Sequence, residues 1–178
     1  MKDHVVVSVV MSAFNEETLI AKAIKSIIDQ SYVNWELIIV DDGSTDLTKK
    51  IINTFVSKDK RIILIENMVN LGLAKSLNIG IARAKGKYIA RMDADDESFH
   101  NRLKCQTVFL DLNSDIDVLG TGAILIDGQG NYLEEFIQPE MHENIVKHIF
   151  KTSPFFHSTI MMRKEFIDRM GGYNELSK

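Results

Sequence analysis

The sequence predicts an α/β fold with a mostly parallel central sheet, helices on both faces and a small antiparallel addition in the C-terminal part. Two observations support this prediction. Up to about residue 115, short apolar runs rich in β-branched residues alternate with amphipathic segments of helical length. Beyond that point, strand signals follow one another closely. The first pattern is typical of βαβ units, and the second is typical of antiparallel strands.

Four strand-helix units are predicted in the first part of the chain. The run VVVSVVM is continuously apolar apart from its serine, as expected for a strand that is buried on both faces. Isoleucine, leucine and alanine recur at helical spacing behind it. The predicted strands are residues 5–11, 35–40, 61–66 and 87–92, and the helices that follow them lie in residues 19–28, 46–58, 73–86 and 101–112.

The C-terminal part predicts the antiparallel addition. IDVLGTGAILIDGQGNYLEEFI indicates two strands joined by the turn DGQG, and PFFHSTIMMRKEFI indicates a further strand that leads into a helix. The chain shows neither an internal repeat nor a low-complexity linker. We therefore expect residues 1–178 to form a single domain.

The composition excludes several classes of function. The formal net charge is -4 and no long run of like charge occurs, so a nucleic-acid partner is not expected. The N-terminal apolar run is too short for a membrane span or a secretory signal, which predicts a cytoplasmic protein. Cys105 is the only cysteine, and we expect it to be a small buried hydrophobe.

Acidic side chains gather directly behind the fourth predicted strand. Asp93 and Asp95 are separated only by the small Ala94, so an extended chain points both carboxylates to one side. Paired hard oxygen ligands suit Mg²⁺ or Mn²⁺ better than Zn²⁺. The alternative is that the acids cap the helix beginning near Asn101, where negative charge is favourable. One cap does not require three aspartates, and both interpretations stay open.

A second acidic pair follows the second predicted strand. Asp41 or Asp42 could simply form the turn with Gly43 and Ser44. An acid at this place in an α/β sheet can also accept hydrogen bonds from a nucleoside. Because ligands of such sheets sit outside the carboxyl ends of the strands, we expect the polar clusters SAFNEE, DDGSTD and DADDE to converge on one edge.

In this order, the clusters resemble the N-terminal region of the family 2 glycosyltransferases, inverting enzymes with the Rossmann-like GT-A fold. The resemblance rests on SVVMSAFNEE, SIIDQSYVNWELIIVDDGSTD, NLGLAKSLNIGIARAKGKYIARMDADD and FFHSTIMMRKEFIDRMGGYNE, which span nearly the whole chain. It implies metal-assisted transfer of a sugar from a nucleotide-sugar donor to a hydroxyl of a glycan or lipid-linked acceptor. The donor that the resemblance favours is a UDP-sugar. A lipid-linked acceptor would bring the full-length protein to the inner face of the membrane as a peripheral protein.

The resemblance also implies roles for individual residues. Asp42 would face the base, Asp93 would lie nearer the ribose, and Asp95, beside Asp93, would hold the metal on the diphosphate. His157, at the start of a predicted strand, would line the donor or acceptor pocket, whereas alone it would be interpreted as structural. The implied donor-binding residues are Ala13, Phe14, Asn15, Glu16, Asp42, Asp93, Ala94, Asp95 and His157.

The main departure from the family pattern concerns the general base. The family usually supplies it from an acidic motif shortly beyond the Gly-Gly-Tyr segment, which here is residues 171–173 and is followed by only five residues. We expect the base to lie beyond Lys178 and the chain to be a fragment of a longer enzyme.

A smaller departure concerns the third helix, where Leu77 stands in place of a basic residue that often precedes the asparagine. Lys75, Arg83 or Arg91 could replace it by reaching phosphate, although Lys75 and Arg83 are more readily explained as part of a solvated helix face.

Three other functions compete with this one. A catalytically silent nucleotide-sugar-binding module would carry the same donor site without a general base. A dinucleotide oxidoreductase would need a Gly-x-Gly-x-x-Gly cradle where the chain has MSAFNEE. A response-regulator-like domain would use the first acidic pair for metal, but it leaves DADD and the second half of the chain unexplained.

Overall fold

Strands and helices alternate along the computed structural model, which describes residues 5–148, 153 and 155–175. The elements up to residue 112 are β1 (Val7–Ala13), α1 (Ile20–Ile28), β2 (Trp35–Asp41), α2 (Thr48–Val56), β3 (Ile62–Glu66), α3 (Leu73–Arg83), β4 (Tyr88–Asp93) and α4 (Arg102–Leu112). The later elements are β5 (Val118–Leu119), β6 (Ala123–Ile126), β7 (Tyr132–Phe136), α5 (His142–His148), a 3₁₀ helix (His157–Thr159), β8 (Met161–Arg163) and α6 (Lys164–Met170).

Six strands form the central sheet in the order β3-β2-β1-β4-β8-β5. The first four strands of the chain pair in parallel, and β8 pairs antiparallel with both β4 and β5. β6 and β7 form a separate antiparallel hairpin. The prediction of a Rossmann-like α/β fold with a mostly parallel sheet and a small antiparallel addition is therefore confirmed.

Helices cover both faces of the sheet. The apolar side chains of α1, α2 and α4 pack against one face, which carries Met11 and Tyr88, and those of α3 and α6 pack against the other, which carries Val10 and Ile89. Burial on both faces explains why the inner strands are almost continuously apolar. None of the helices in the described part of the chain is long and apolar enough to span a membrane.

Some details differ from the sequence predictions. β1 continues to Ala13, past the end of the apolar run, because its backbone pairs with β2 as far as Asp41. His157 opens a 3₁₀ helix before β8 and does not begin the strand itself. Cys105 is exposed on α4, so the expectation that it is buried was wrong.

The N-terminus of α4 is held by the residue that follows the C-cap of α1. Gln30 is 5% exposed, and its Oε1 accepts a hydrogen bond from the Leu103 N–H at 3.0 Å. Its Nε2 donates to the Phe99 carbonyl at 2.7 Å. Asn101, at the N-cap position, makes no capping bond with its side chain. Among the described residues, none of the three aspartates behind β4 makes a capping hydrogen bond to α4, which argues against the capping interpretation.

Replacement of Gln30 by Ala should leave the Leu103 N–H buried without a partner. We expect the free energy of unfolding to fall by about 1–3 kcal/mol, measured by urea denaturation. Gln129→Ala, in the exposed turn between β6 and β7, is the control and should change it by less than about 0.5 kcal/mol. Equal losses in the two variants would contradict this account of the α4 N-terminus.

Candidate functional site

The loops behind β1, β2 and β4 meet around a cleft of about 360 Å³ at the carboxyl edge of the sheet. The segment before α3 closes one side of it. Six of the residues predicted from the sequence line the cleft: Phe14, Glu16, Asp42, Asp93, Ala94 and Asp95. The other lining residues, which sequence reasoning missed, are Ser12, Asn70, Gly72 and Leu73.

The loop behind β1 is joined to the loop behind β2 by reciprocal hydrogen bonds. The Asn15 N–H donates to Ser44 Oγ at 3.0 Å, and Asn15 Oδ1 accepts from the Thr45 N–H at 2.8 Å. The Glu16 N–H donates to Thr48 Oγ1 at 2.7 Å. Asn15 holds a φ of 54°, a left-handed conformation that asparagine adopts more easily than most residues. These bonds hold the two loops at a set separation.

The four residues of the predicted first loop divide into two pairs. Phe14 is 43% exposed and lines the cleft together with Glu16. Ala13 is buried as the last residue of β1, and the side-chain oxygen of Asn15 is occupied by the neighbouring loop. Ala13 and Asn15 therefore lie outside the cleft lining and shape the backbone that presents the other two.

Asp41 and Asp42 have different partners. Asp41 Oδ1 accepts a hydrogen bond from the Ser44 N–H at 3.3 Å, which is the turn expected from the sequence. Asp42 lines the cleft, where its carboxylate faces the segment before α3. Gly43, with a φ of +77°, brings the turn so close to that segment that a Cβ would lie 2.8 Å from the Val69 carbonyl carbon.

Three donors surround the Asp42 carboxylate. Oδ1 accepts from Asn67 Nδ2 at 2.8 Å and from the Leu71 N–H at 2.9 Å, and Oδ2 accepts from the Gly72 N–H at 2.9 Å. Burial raises the pKa of Asp42, but the hydrogen bonds from Leu71, Asn67 and Gly72, together with the nearby Ser76 hydroxyl, outweigh it, and the pKa lies below its ordinary value of 3.8. Asp42 is therefore ionised at neutral pH and holds the cleft wall that precedes α3.

The acid cluster behind β4 consists of Asp93, Asp95 and Asp96, whose carboxylate oxygens lie within 4.8 Å of one another. Burial, followed by the negative charges of Asp96 and Asp93, raises the pKa of Asp95. Burial and the charges of Asp95, Asp46 and Asp93 raise the pKa of Glu16, which lines the same cleft. Mutually repelling oxygen donors of this kind fit a divalent cation such as Mg²⁺ or Mn²⁺.

Arg91 lies beside the acid cluster and is only 2% exposed. Its Nη1 forms an ion pair with Asp93, and its Nε has no hydrogen-bond partner among the described residues. At this burial the guanidinium does not line the cleft, in contrast to the hypothesis that it reaches phosphate. Of the other two candidate basic residues, Arg83 is exposed on α3 and Lys75 lines a second cleft.

The second cleft, of about 550 Å³, shares Gly72 and Leu73 with the first. His157 and Tyr173 line its far side, with His157 Nε2 and the Tyr173 hydroxyl 2.9 Å apart. The backbone of Tyr173 is tied to α3 because its N–H donates to Asn78 Oδ1 at 2.8 Å. His157 therefore lies in the neighbouring cleft, apart from the other predicted donor-binding residues.

Comparisons with known proteins agree over most of the chain. The sequence profile of Glycosyl transferase family 2 matches residues 8–171. EpsE of Bacillus subtilis strain 168 is 40% identical over 173 residues, 97% of this chain and 61% of that protein. An uncharacterized glycosyltransferase of Methanocaldococcus jannaschii is 38% identical over 172 residues, 94% of this chain and 59% of that protein.

Solved structures show the same fold. S. aureus TarS 1-349 in complex with UDP superposes with a TM-score of 0.77 at 24% identity, over 96% of this chain and 50% of that one. The mannosyltransferase PcManGT from Pyrobaculum calidifontis, in complex with GDP-Man and Mn²⁺, gives a TM-score of 0.73 at 18% identity. This match covers 96% of this chain and 48% of that one.

The chain thus spans about three fifths of the length of these curated relatives and half of these solved chains. Within that span the match runs from β1 to the end of α6. The chain belongs to glycosyl transferase family 2.

Proposed function

We propose that this chain forms the donor site of an inverting glycosyltransferase that transfers a sugar from a nucleotide sugar to a hydroxyl of a glycan or lipid-linked acceptor. The observation that carries the proposal is that Asp42 and the Asp93/Asp95 pair line one cleft at the carboxyl edge of a parallel sheet. Ligands of open α/β sheets bind at this edge. Family membership makes a nucleotide sugar the fitting ligand, and we propose UDP-sugar as the donor.

In this proposal, each wall of the cleft contacts a different part of the donor. Phe14 offers an exposed aromatic face to the base, and Asp42 orders the opposite wall through its bonds to Leu71 and Gly72. Asp93 lies on the ribose side, and Asp95 binds the cation at the diphosphate, with Asp93 as the second protein ligand of the metal. Mn²⁺ or Mg²⁺, when bound, supplies Lewis-acid stabilisation of the diphosphate leaving group.

The proposal places the general base outside residues 1–178, in keeping with the greater length of the relatives. Inverting transfer needs a carboxylate that deprotonates the acceptor hydroxyl on the face opposite the leaving group. Glu175 is the acid that lines the second cleft among the described residues, and its Oε1 already accepts a hydrogen bond from Asn78 Nδ2 at 3.0 Å. This observation favours a second candidate for the isolated chain, a donor-binding unit that transfers no sugar.

Calorimetric titration with UDP tests the donor site. We expect binding in the presence of Mn²⁺ to exceed binding without it, and GDP and ADP to bind more weakly than UDP. Asp95→Ala should weaken UDP binding in Mn²⁺ by about tenfold or more, because the cation loses its direct ligand. Asp115→Ala, at an exposed aspartate behind α4, is the matched control and should bind like the native chain.

Two results would contradict the proposed donor site. One is UDP binding of equal strength with and without Mn²⁺, and the other is equal UDP affinity in Asp95→Ala and the native chain. Hydrolysis of a UDP-sugar by the native chain that disappears in Asp95→Ala would exclude the second candidate, the silent donor-binding unit.

Asp42→Asn tests the proposed role of Asp42 in ordering the wall. An amide group in place of one oxygen would face a backbone N–H donor, so the free energy of unfolding at neutral pH should fall by about 1–3 kcal/mol. The folded-state pKa of Asp42 lies below 3.8, so the stabilisation is complete above about that pH and is lost as pH falls through the folded-state pKa. Urea denaturation of the native chain and the variant across this range measures the difference.

The control for this experiment is Asp115→Asn, which should leave the pH dependence of unfolding unchanged. A difference between Asp42→Asn and the native chain that persists undiminished under acid conditions would contradict the ionised, hydrogen-bonded state of Asp42.

A further inference from the structure

Arg91 has no task in the donor site proposed above, although its partner Asp93 lines the cleft. Its side chain is 3% exposed. Among the described residues, neither its Nε nor its Nη1 makes a hydrogen bond, so the ion pair with Asp93 is the main compensation for burying these nitrogens. Burial of a cation whose donors lack hydrogen-bond partners is unfavourable on general grounds. Such a residue calls for an explanation beyond packing.

Arg163 shows what a buried arginine with a structural role looks like in this fold. It is 7% exposed on β8, and its donors end on backbone carbonyls: Nε on Ile116 at 2.9 Å, and Nη2 on Leu110 at 2.7 Å and Asn113 at 3.0 Å. Arg91 instead directs its charge at a carboxylate of the acid cluster. The two residues therefore differ in chemistry although both are buried in the same sheet.

The position of Arg91 is set by the pairing of β4 with β1. Arg91 and Asp93 are two residues apart on β4, on the same face of the sheet, and they pair in register with Val10 and Ser12 of β1. The guanidinium therefore lies on the protein side of the acid cluster, where solvent does not reach it. A buried charge at this place is screened less by salt than a surface charge would be.

The charge of Arg91 affects how the acid cluster attracts a cation. Asp93, Asp95 and Asp96 together can present three negative charges within 4.8 Å, and Arg91 cancels about one of them and engages one carboxylate. A divalent cation that binds without a nucleotide is attracted by less net negative charge, and one of the three carboxylates is already paired with Arg91. A nucleoside diphosphate brings negative charge and oxygen ligands of its own, which restore the attraction.

We propose that Arg91 weakens the binding of a divalent cation by itself, so that the acid cluster takes up the cation together with a nucleoside diphosphate. This inference rests on the proposed donor site. It assigns to Arg91 the coupling between metal and nucleotide. A role limited to orienting Asp93 predicts the opposite sign, because loss of Arg91 would then disorder a ligand and weaken cation binding.

The test measures free Mn²⁺ by electron paramagnetic resonance as the metal is titrated into the protein, with and without saturating UDP. The variants are Arg91→Met and Arg91→Gln, which remove the charge, and Arg91→Lys, which keeps it. Arg163→Met is the matched control for loss of a buried arginine. Circular dichroism of each variant establishes that it is folded.

We expect the two neutral variants to bind Mn²⁺ alone about threefold to tenfold more tightly than the native chain, because one repelling charge is gone. The enhancement of Mn²⁺ binding by UDP should shrink in the same variants, since the coupling is reciprocal. Arg91→Lys and Arg163→Met should keep the native pattern.

Three results would overturn the inference. Mn²⁺ binding that is weaker in both neutral variants would assign Arg91 to the orientation of Asp93 alone, and unchanged binding would mean that its charge does not oppose the cation. Unfolding of both neutral variants while Arg91→Lys folds would assign it to the fold. Failure of the folded native chain to bind UDP in the presence of Mn²⁺ would overturn the proposed function and the inference together, whereas native binding without the expected change in the variants would overturn the inference only.

Discussion

The register of three parallel strands is the constraint on which the rest of the site depends. β1 pairs with β2 on one side and β4 on the other, so Ala13 stands beside Asp41 and Ser12 stands beside Asp93. Three loops therefore leave the sheet at one level and in one direction. A shift of one residue in the pairing of β1 with β4 would turn Asp93 to the opposite face and separate it from the other walls of the cleft.

The negative charges at this edge of the sheet must be compensated within the protein when no ligand is bound. The fold places several carboxylates around one cleft, and each meets a different form of compensation. Backbone and side-chain donors compensate the charge of Asp42, and the buried guanidinium of Arg91 compensates that of Asp93. The charge of Asp95 is compensated less than either of these. Burial first, and then neighbouring negative charge, raises the pKa values of Asp95 and Glu16 in the same part of the cleft. A bound cation would relieve this repulsion, and the compensation of Asp42 and Asp93 would stay unchanged.

The sequence was sufficient for the fold class and for six of the residues that line the cleft, although it missed Ser12 of β1. Strand length and β-branched composition predicted the parallel sheet, and the rule that ligands sit at carboxyl ends predicted that the polar clusters converge. Contacts between residues far apart in the chain could not be predicted from the sequence. Leu71 and Gly72 belong to the cleft wall because Asp42, about 30 positions earlier, binds their N–H groups. Gln30 caps a helix 73 positions later, which no local capping signal could indicate. His157 opens a 3₁₀ helix instead of a strand and lines the second cleft, where its ring contacts Tyr173, 16 positions later.

Crystallography of the chain with UDP and Mn²⁺, with anomalous diffraction to locate the metal, tests the central claim most directly. The account predicts an anomalous peak within about 2.3 Å of an Asp95 carboxylate oxygen, with the diphosphate in contact with the same ion and the base between Phe14 and the segment before α3. A metal peak away from Asp93, Asp95 and Asp96, or UDP bound outside the cleft that Asp42 lines, would contradict it.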